Sequence, residues 1–384
     1  IFIYKFMQST SKKNNYFIGT LSGTSMDAID ASIYKITNKI KLVDSISFKM
    51  PEDLKAKLFY LSKSKKNLFQ NPTKALKQAD DEFTRITVKT IKRLIKKSGL
   101  CSSDITAIGS HGQTIQHSPF SKKPYSLQIG SPDLIAIQTG ITTIGNFRQT
   151  NIINGGSGAP LTPAFHQKFL RNKKQNRVII NIGGISNLTL LLKNQKIMGW
   201  DSGPGNCLID QSVKFFSNGK NSFDKNGRWG KKGDLKKLDK LINEFLSREY
   251  FHRKPPKSDS TENYNFSEIY SREIQISKFD WISAMTEITA KSIFNSLKEN
   301  CNVKELGIYL CGGGSKNLFL MDLIKSKLPK KWKLYTTEAL GIDPMLVETS
   351  TFAWLAKQRI ESRKINLRSS TNAEISLTGE IFKG

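Results

Sequence analysis

Three short stretches concentrate Gly, Ser, Thr, Asn and Asp where apolar runs end: LSGTSMD at 21–27, NIGGISN at 181–187 and CGGGSKN at 311–317. Glycine reaches φ > 0 and lets main-chain N–H groups approach a ligand closely. Such turns can form nests of N–H groups that bind phosphate oxygens, although small residues are also what any tight turn uses. None fits the P-loop pattern or the Rossmann glycine spacing. Two other clusters are dense in functional side chains. GSHGQTIQH places His111, Gln113, Thr114 and His117 after a strand-like run. GWDSGPGN sets Asp201 ahead of a rigid Gly-Pro-Gly turn. A carboxylate held this way suits a general base; an ordinary Asp turn or helix cap is the alternative. Glu348, in MLVETSTFAWLA, shares a helical face with Met345, Phe352 and Leu355. A carboxylate there is costly to bury unless paired or used, or else it reaches solvent.

The elements that must position these residues alternate between strand-like and helix-like segments, which argues an α/β fold. YFIGTL and AIDASIY read as two strands around the first turn, and RVIINIGGISNLTLLL repeats that pattern. Two such copies suggest a duplicated nucleotide-binding core, with phosphates gripped between two hairpins. KALKQADDEFTRITVKTIKRLIKKSG has helical periodicity and a C-cap signal at Gly99. PDLIAIQTG reads as a helix from Pro132 to a stop at Gly140. ITTIGNFR reads as a strand. GDLKKLDKLINEFLS reads as a helix capped by Asp234, with Leu235, Leu238, Leu241, Ile242 and Phe245 on one face. Residues 251–265, FHRKPPKSDSTENYN, are the clearest loop.

At 384 residues the chain has room for two domains. No run approaches the ~18 apolar residues of a membrane span, and the apolar start is too short for a signal-peptide core. Residues 1–15 are expected to be a loose extension. The four cysteines show no metal-ligand spacing and suit a reducing cytoplasm. The net charge of +28 is compatible with a nucleic-acid or anionic-surface binder. The lysines, however, are scattered between apolar residues as on a solvated helix face, no zinc-finger or RNP pattern is present, and the chain is equally heavy in Ile and Asn, as AT-rich codons produce. No nucleic-acid or membrane partner is therefore expected.

Taken together, SGTSMDAID, GSHGQTIQHSP, LQIGSPDLIAIQTGI, NFRQTNI, GGSGAPLTPAFH, NIGGISNLT, DSGPGN, PPKS, CGGGSKN and FAWLA resemble, in order, the anhydro-N-acetylmuramic acid kinase family of the actin-like ATPase and sugar-kinase superfamily. The resemblance implies a two-domain actin-like ATPase fold, a duplicated ribonuclease H-like unit, with the active site in the interdomain cleft. Residues 16–160 plus 350–384 would form domain I and 161–349 domain II. It implies ATP and Mg²⁺ as cofactors, a bicyclic anhydro amino sugar as substrate, and a bacterial cytoplasmic enzyme of peptidoglycan recycling; a homodimer is a further family expectation. ATP would be held by Gly23, Thr24, Ser25, Met26, Asp27, Ala28, Ile29 and Asp30 in the first turn. Asn181, Gly183 and Gly184 would act from the second, and Gly312, Gly313, Gly314 and Asn317 from the third. Asp27 matches an outer-shell anchor for the metal, and Asp201 matches the family's base. Sugar contacts are expected from His111, Gln113, Thr114, Arg148 and Glu348.

The sequence departs from the family pattern at three positions. The family usually has DFR followed two residues later by Asp; here NFRQTN gives Asn146 and Thr150. Asn146 can hydrogen-bond but cannot act as a base. Ala28 stands where Gly is usual, so the first turn must do without φ > 0 there. Two rival readings follow from particular features. One is a kinase for a different sugar, motivated by Asn146 and Thr150. The other is a catalytically weak actin-like scaffold or nucleic-acid binder, motivated by the charge.

Overall fold

The structure, a computed structural model, describes residues 15–384. The expected extension 1–15 lies, apart from Asn15, outside the described residues. Thirteen strands are present among the described residues: β1 (Tyr16–Leu21), β2 (Ala28–Ile36), β3 (Ile40–Lys49), β4 (Ile105–Ser110), β5 (Gln113–Ser118), β6 (Tyr125–Ile129), β7 (Thr143–Gly145), β8 (Arg177–Ile182), β9 (Ile185–Leu191), β10 (Met198–Pro204), β11 (Leu306–Cys311), β12 (Trp332–Thr336) and β13 (Glu380–Phe382). They form a six-stranded sheet in the order β13-β7-β4-β1-β2-β3 and a five-stranded sheet in the order β10-β9-β8-β11-β12. A small β5–β6 hairpin stands apart.

The two large sheets share one plan. In the first, β1 pairs antiparallel with β2, which pairs antiparallel with β3, and β1 pairs parallel with β4. In the second, β8 pairs antiparallel with β9, which pairs antiparallel with β10, and β8 pairs parallel with β11. This is the duplication that the two strand–turn–strand copies predict. The central strands are apolar on both faces (β11 is buried at all six positions), as strands covered by helices on both sides must be.

Local signals place the long helices. Lys74–Ser98 starts at Thr73, whose side chain accepts from the Leu76 N–H, and stops at Gly99 with φ 72°. Pro132–Thr139 likewise ends at Gly140 with φ 68°. Lys278–Asn300 carries a Ser277/Asp280 capping box. Where expectation and structure differ, the reason is local. The strand expected at ITTIGNFR shrinks to Thr143–Gly145, because Asn146 turns left-handed at φ 55° and a helix, Phe147–Ile153, follows. The helix expected after Asp234 begins as a 3₁₀ turn, Leu235–Leu238, before the α-helix Asp239–Leu246.

The Val347–Ile360 helix packs directly on β1 and β4. It can do so because Gly19 and Gly109 face it: a Cβ at Gly19 would collide with the Thr349 carbonyl, and one at Gly109 with the Phe352 carbonyl. Its buried hydroxyls are satisfied locally and across the sheet. Ser350 and Thr351 donate to the Leu346 and Val347 carbonyls, and Thr349 Oγ1 lies 2.7 Å from Tyr34 Oη. The same helix belongs to an apolar cluster that joins Phe17 and Tyr34 of the first sheet to Ile179, Leu191 and Tyr309 of the second, through Phe165, Phe352 and Trp354.

Gly19→Ala and Gly109→Ala are each expected to destabilise the protein by about 1–3 kcal/mol or more, the range of overpacked cores. Urea unfolding midpoints at constant m-value measure this.

Candidate active site

The turns sit at the carboxyl ends of the parallel strands, where open α/β sheets place ligands. The first spans the gap between β1 and β2. Ser22 N–H donates to the Gly112 carbonyl (3.2 Å) and Met26 N–H to that of Gly23 (3.0 Å). The positive φ falls on Met26, at 55°, so Ala28 needs none and simply opens β2. Thr24, Ser25 and Asp27 are exposed there, and Asp27 is ion-paired with Lys55. Met26 and Ile29 turn their side chains into the core, so only their main chain is available to a ligand. Asp30 is half-buried; burial raises its pKa, while Ser47 and the Lys316 charge pull it back.

The second turn is held by the start of the Cys207–Phe216 helix. Gly205 N–H donates to Gly184 O (2.9 Å) and Asn206 N–H to Gly183 O (2.7 Å). A Cβ on Gly184 would lie 2.7 Å from Thr24 Oγ1 and 2.9 Å from Thr261 Cγ2. The first and second turns therefore face each other at close quarters. In the third turn, Gly312 has φ 78° and leaves no room for a Cβ beside Asn181 Oδ1, and Gly314 packs against Ile182. Gly313 adjoins Asn206, and Asn317 Oδ1 caps the Leu318–Lys327 helix through the Leu320 N–H (3.0 Å).

A second group gathers around Arg148. Arg148 Nε donates to His111 Nε2 (2.8 Å), while His111 Nδ1 bonds the Gly112 carbonyl (3.0 Å). These two bonds define the neutral tautomer with the proton on Nδ1. Burial, reinforced by the Arg148 charge, pushes His111 down to about 3, and His117 likewise. Arg148 also faces the charges of Glu348 and Asp201, which offset its own burial. Glu348 is half-buried; burial raises its pKa and Arg148 lowers it. Gln113 is buried, its Nε2 donating to the Thr114 carbonyl (3.1 Å) and its Oε1 unpartnered. Thr114 Oγ1 accepts weakly from Gln128.

Asp201 lies on β10 with 8% of its surface exposed. Burial pushes its carboxyl up to about 7, and the Asp259 charge adds to the rise. The Asp259 N–H, Arg148 and Lys257 act against it. That N–H donates to Asp201 Oδ2 at 2.9 Å. Asp201 N–H donates to the Lys257 carbonyl (2.9 Å), and Tyr250 Oη to the Asp201 carbonyl (2.8 Å). Asp259, Lys257 and Tyr250 were not marked by sequence reasoning, since they lie in or beside the 251–265 stretch that reads as plain loop. The PPKS run within it is the one signal that could have drawn attention there. Asp210 was missed as well. Burial lifts its carboxyl to about 8, with Asp27 and Asp224 adding to the rise.

Asn146 turns away from the Arg148 group. Its Nδ2 donates to Glu380 Oε2 (2.9 Å) on β13, and Thr150 Oγ1 returns to the Asn146 carbonyl (2.7 Å).

Two like-ordered sheets with opposed glycine turns define an actin-like ATPase and sugar-kinase fold. A sequence profile of the anhydro-N-acetylmuramic acid kinase family matches residues 15–383. The chain is 38% identical over 374 residues to the anhydro-N-acetylmuramic acid kinase of Coxiella burnetii (strain Dugway 5J108-111), covering 96% of this chain and 97% of that one. It is 36% identical over 364 residues to the anhydro-N-acetylmuramic acid kinase of Actinobacillus pleuropneumoniae serotype 7 (strain AP76), covering 94% and 96%. A solved ROK family glucokinase from Streptomyces griseus, in complex with glucose and AMPPNP, aligns at TM-score 0.40 and 12% identity over 89% of this chain and 99% of that one. The chain belongs to the anhydro-N-acetylmuramic acid kinase family.

Asn146→Asp sets a carboxylate against Glu380. A penalty of a few tenths to ~1 kcal/mol is expected at this exposed pair, and adding Glu380→Gln should abolish it. A double-mutant cycle on unfolding free energies checks this.

Proposed function

We propose that this protein is an ATP-dependent kinase that opens 1,6-anhydro-N-acetylmuramic acid with water and phosphorylates O6, giving N-acetylmuramic acid 6-phosphate for cell-wall recycling in the cytoplasm. The observation that carries the mechanism is Asp201: a buried carboxylate lifted to about 7, fixed through one oxygen by the Asp259 N–H and facing Arg148. A base poised near neutral pH is what deprotonation of water requires. The water oxygen bonds to C1 as its proton passes to Asp201. The C1–O6 bond breaks, and the O6 electron pair takes the γ-phosphoryl group, with ADP leaving. Phosphoryl transfer asks the protein mainly for positioning and charge neutralisation, roles we give to the opposed turns at 23–30 and 183–184, with the 312–317 turn beside the nucleoside. The sheets would then be the cores of two lobes, 16–160 plus 350–384 and 161–349.

Neutral His111 can offer a sugar hydroxyl only what Arg148 leaves free, so its part is to orient Arg148 towards the substrate's carboxylate or phosphate. The buried, unpartnered Gln113 Oε1 and the Thr114 hydroxyl would accept from sugar hydroxyls, with Glu348 a further acceptor. Among the described residues no group of three or more His, Cys, Asp or Glu gathers in a metal-ligating arrangement. Mg²⁺ keeps several waters and binds through one or two carboxylates plus phosphates. Asp27, whose charge lies near enough to add to the burial-driven rise of the Asp210 carboxyl, would hold it through the outer shell. When bound, Mg²⁺ supplies neutralisation of phosphate charge.

Mass spectrometry of product formed from ATP, Mg²⁺ and 1,6-anhydro-N-acetylmuramic acid in ¹⁸O-water tests the reading. One label at C1 of a phosphorylated sugar is expected; absence of phosphorylated sugar overturns it. Asp201→Asn should lower kcat by roughly 10²–10⁴-fold with ATP binding retained, as calorimetry would show. Because the ionised carboxylate is the active form, wild-type kcat/KM should fall as pH drops through about 7. Glu348→Ala should raise KM for the sugar more than KM for ATP in steady-state kinetics.

A further inference from the structure

The segment 257–264 runs from the base to the phosphate turns. It is tied to Asp201 of β10 by one main-chain bond, from the Asp201 N–H to the Lys257 carbonyl, and by the Asp259 N–H, which donates to the Asp201 carboxylate. Four residues on, Thr261 abuts Gly184, which itself faces Thr24. The segment is shaped by one side chain. The Asp259 carboxylate receives the Ser260 N–H (2.8 Å), Asn263 Nδ2 (2.8 Å) and the Tyr264 hydroxyl. Tyr264 is buried in the aromatic cluster with Phe245 and Phe266, and its carbonyl is held by Gln211 of the Cys207–Phe216 helix (3.0 Å). Lys257 closes the other end, its Nζ donating to the Tyr250 (2.9 Å) and Phe251 (3.2 Å) carbonyls.

We infer that Asp259 is a positioning residue of the reaction: it anchors a strap that presents the Asp201 carboxylate with Oδ2 held and Oδ1 free, at a distance from the phosphate turn set by Thr261 against Gly184. This rests on the reading of Asp201 as the base. The charged and titratable groups facing Asp201 are Arg148 from the Phe147–Ile153 helix, Lys257 and Asp259 from the strap, and Tyr250 from the Glu249–His252 turn. Asp259 is the carboxylate among them. It therefore favours the protonated form of Asp201, and removing the charge moves the titration to lower pH.

The test is the pH profile of Asp259→Asn, which can keep the hydrogen bonds and loses the charge. The acid limb of kcat/KM should move down by about one unit, with turnover at neutral pH retained. Asp259→Ala, which loses the anchor, should lower kcat roughly ten- to hundredfold, as small misplacements of a reacting group do, with KM for ATP within about twofold. Where that variant does not fold, Tyr264→Phe removes a single anchor bond and should lower kcat several-fold with the limb unmoved. An unmoved limb in Asp259→Asn, or full kcat in both other variants, overturns the inference. The Asp201 carboxyl can also be titrated directly by ¹³C NMR of aspartate-labelled protein, assigned with Asp201→Asn. A downward shift in Asp259→Asn is then expected whether or not the anhydro sugar is turned over, which separates failure of the strap from failure of the proposed reaction.

Discussion

The backbone of the Val347–Ile360 helix lies against β1 and β4 with no side chain between, at Gly19 and Gly109. This contact governs the rest of the molecule. It brings the helix close enough for Thr349 to bond Tyr34 and for Phe352 to reach both His111 (4.7 Å between rings) and Phe147 (5.4 Å). Those two contacts orient the neighbours of Arg148. The same helix carries Glu348 in its first turn and turns Trp354 toward the cluster shared with the second sheet. One close approach thus sets the distance between the sheets and delivers a carboxylate to the cleft.

Within the cleft, charge is concentrated at low solvation, and the consequences oppose one another. Burial pushes Asp201 and Glu348 toward their neutral forms, while Arg148 holds both toward ionisation. Arg148 is itself half-buried, and the two carboxylates offset the cost of its burial in return. His111 gives Arg148 an acceptor without adding a charge, because burial and the guanidinium keep it neutral. Buried ions of this kind are stable only as a set. Loss of one member leaves the others uncompensated, so the cluster is as much a structural unit as a chemical one.

Features encoded over a few residues were legible in the sequence. The strand–turn–strand copies and the helix stops at Gly99 and Gly140 announce themselves through local pattern and hold in the structure. What stayed hidden depends on partners far along the chain. Nothing near Asn146 signals that its amide meets Glu380, more than two hundred residues away. Nothing in SDSTEN indicates that its Asp grips another carboxylate through its main chain. The short helix Phe147–Ile153 escaped because its entry is a single left-handed Asn, which periodicity does not register.

The two large sheets end in four edge strands: β13, β3, β10 and β12. Unpaired edges invite other chains to add strands. Here the edges are blunted in three ways. β10 is covered at Asp201 by the strap, and β13 is three residues long. The other two are left to lysine: Lys41 and Lys49 on β3, where Leu42 and Val43 are exposed, and Lys333 on β12, with Lys330 and Lys331 just before it. Lysines on an exposed edge disfavour the addition of a strand from another chain, a use of positive charge that involves neither nucleotide nor sugar.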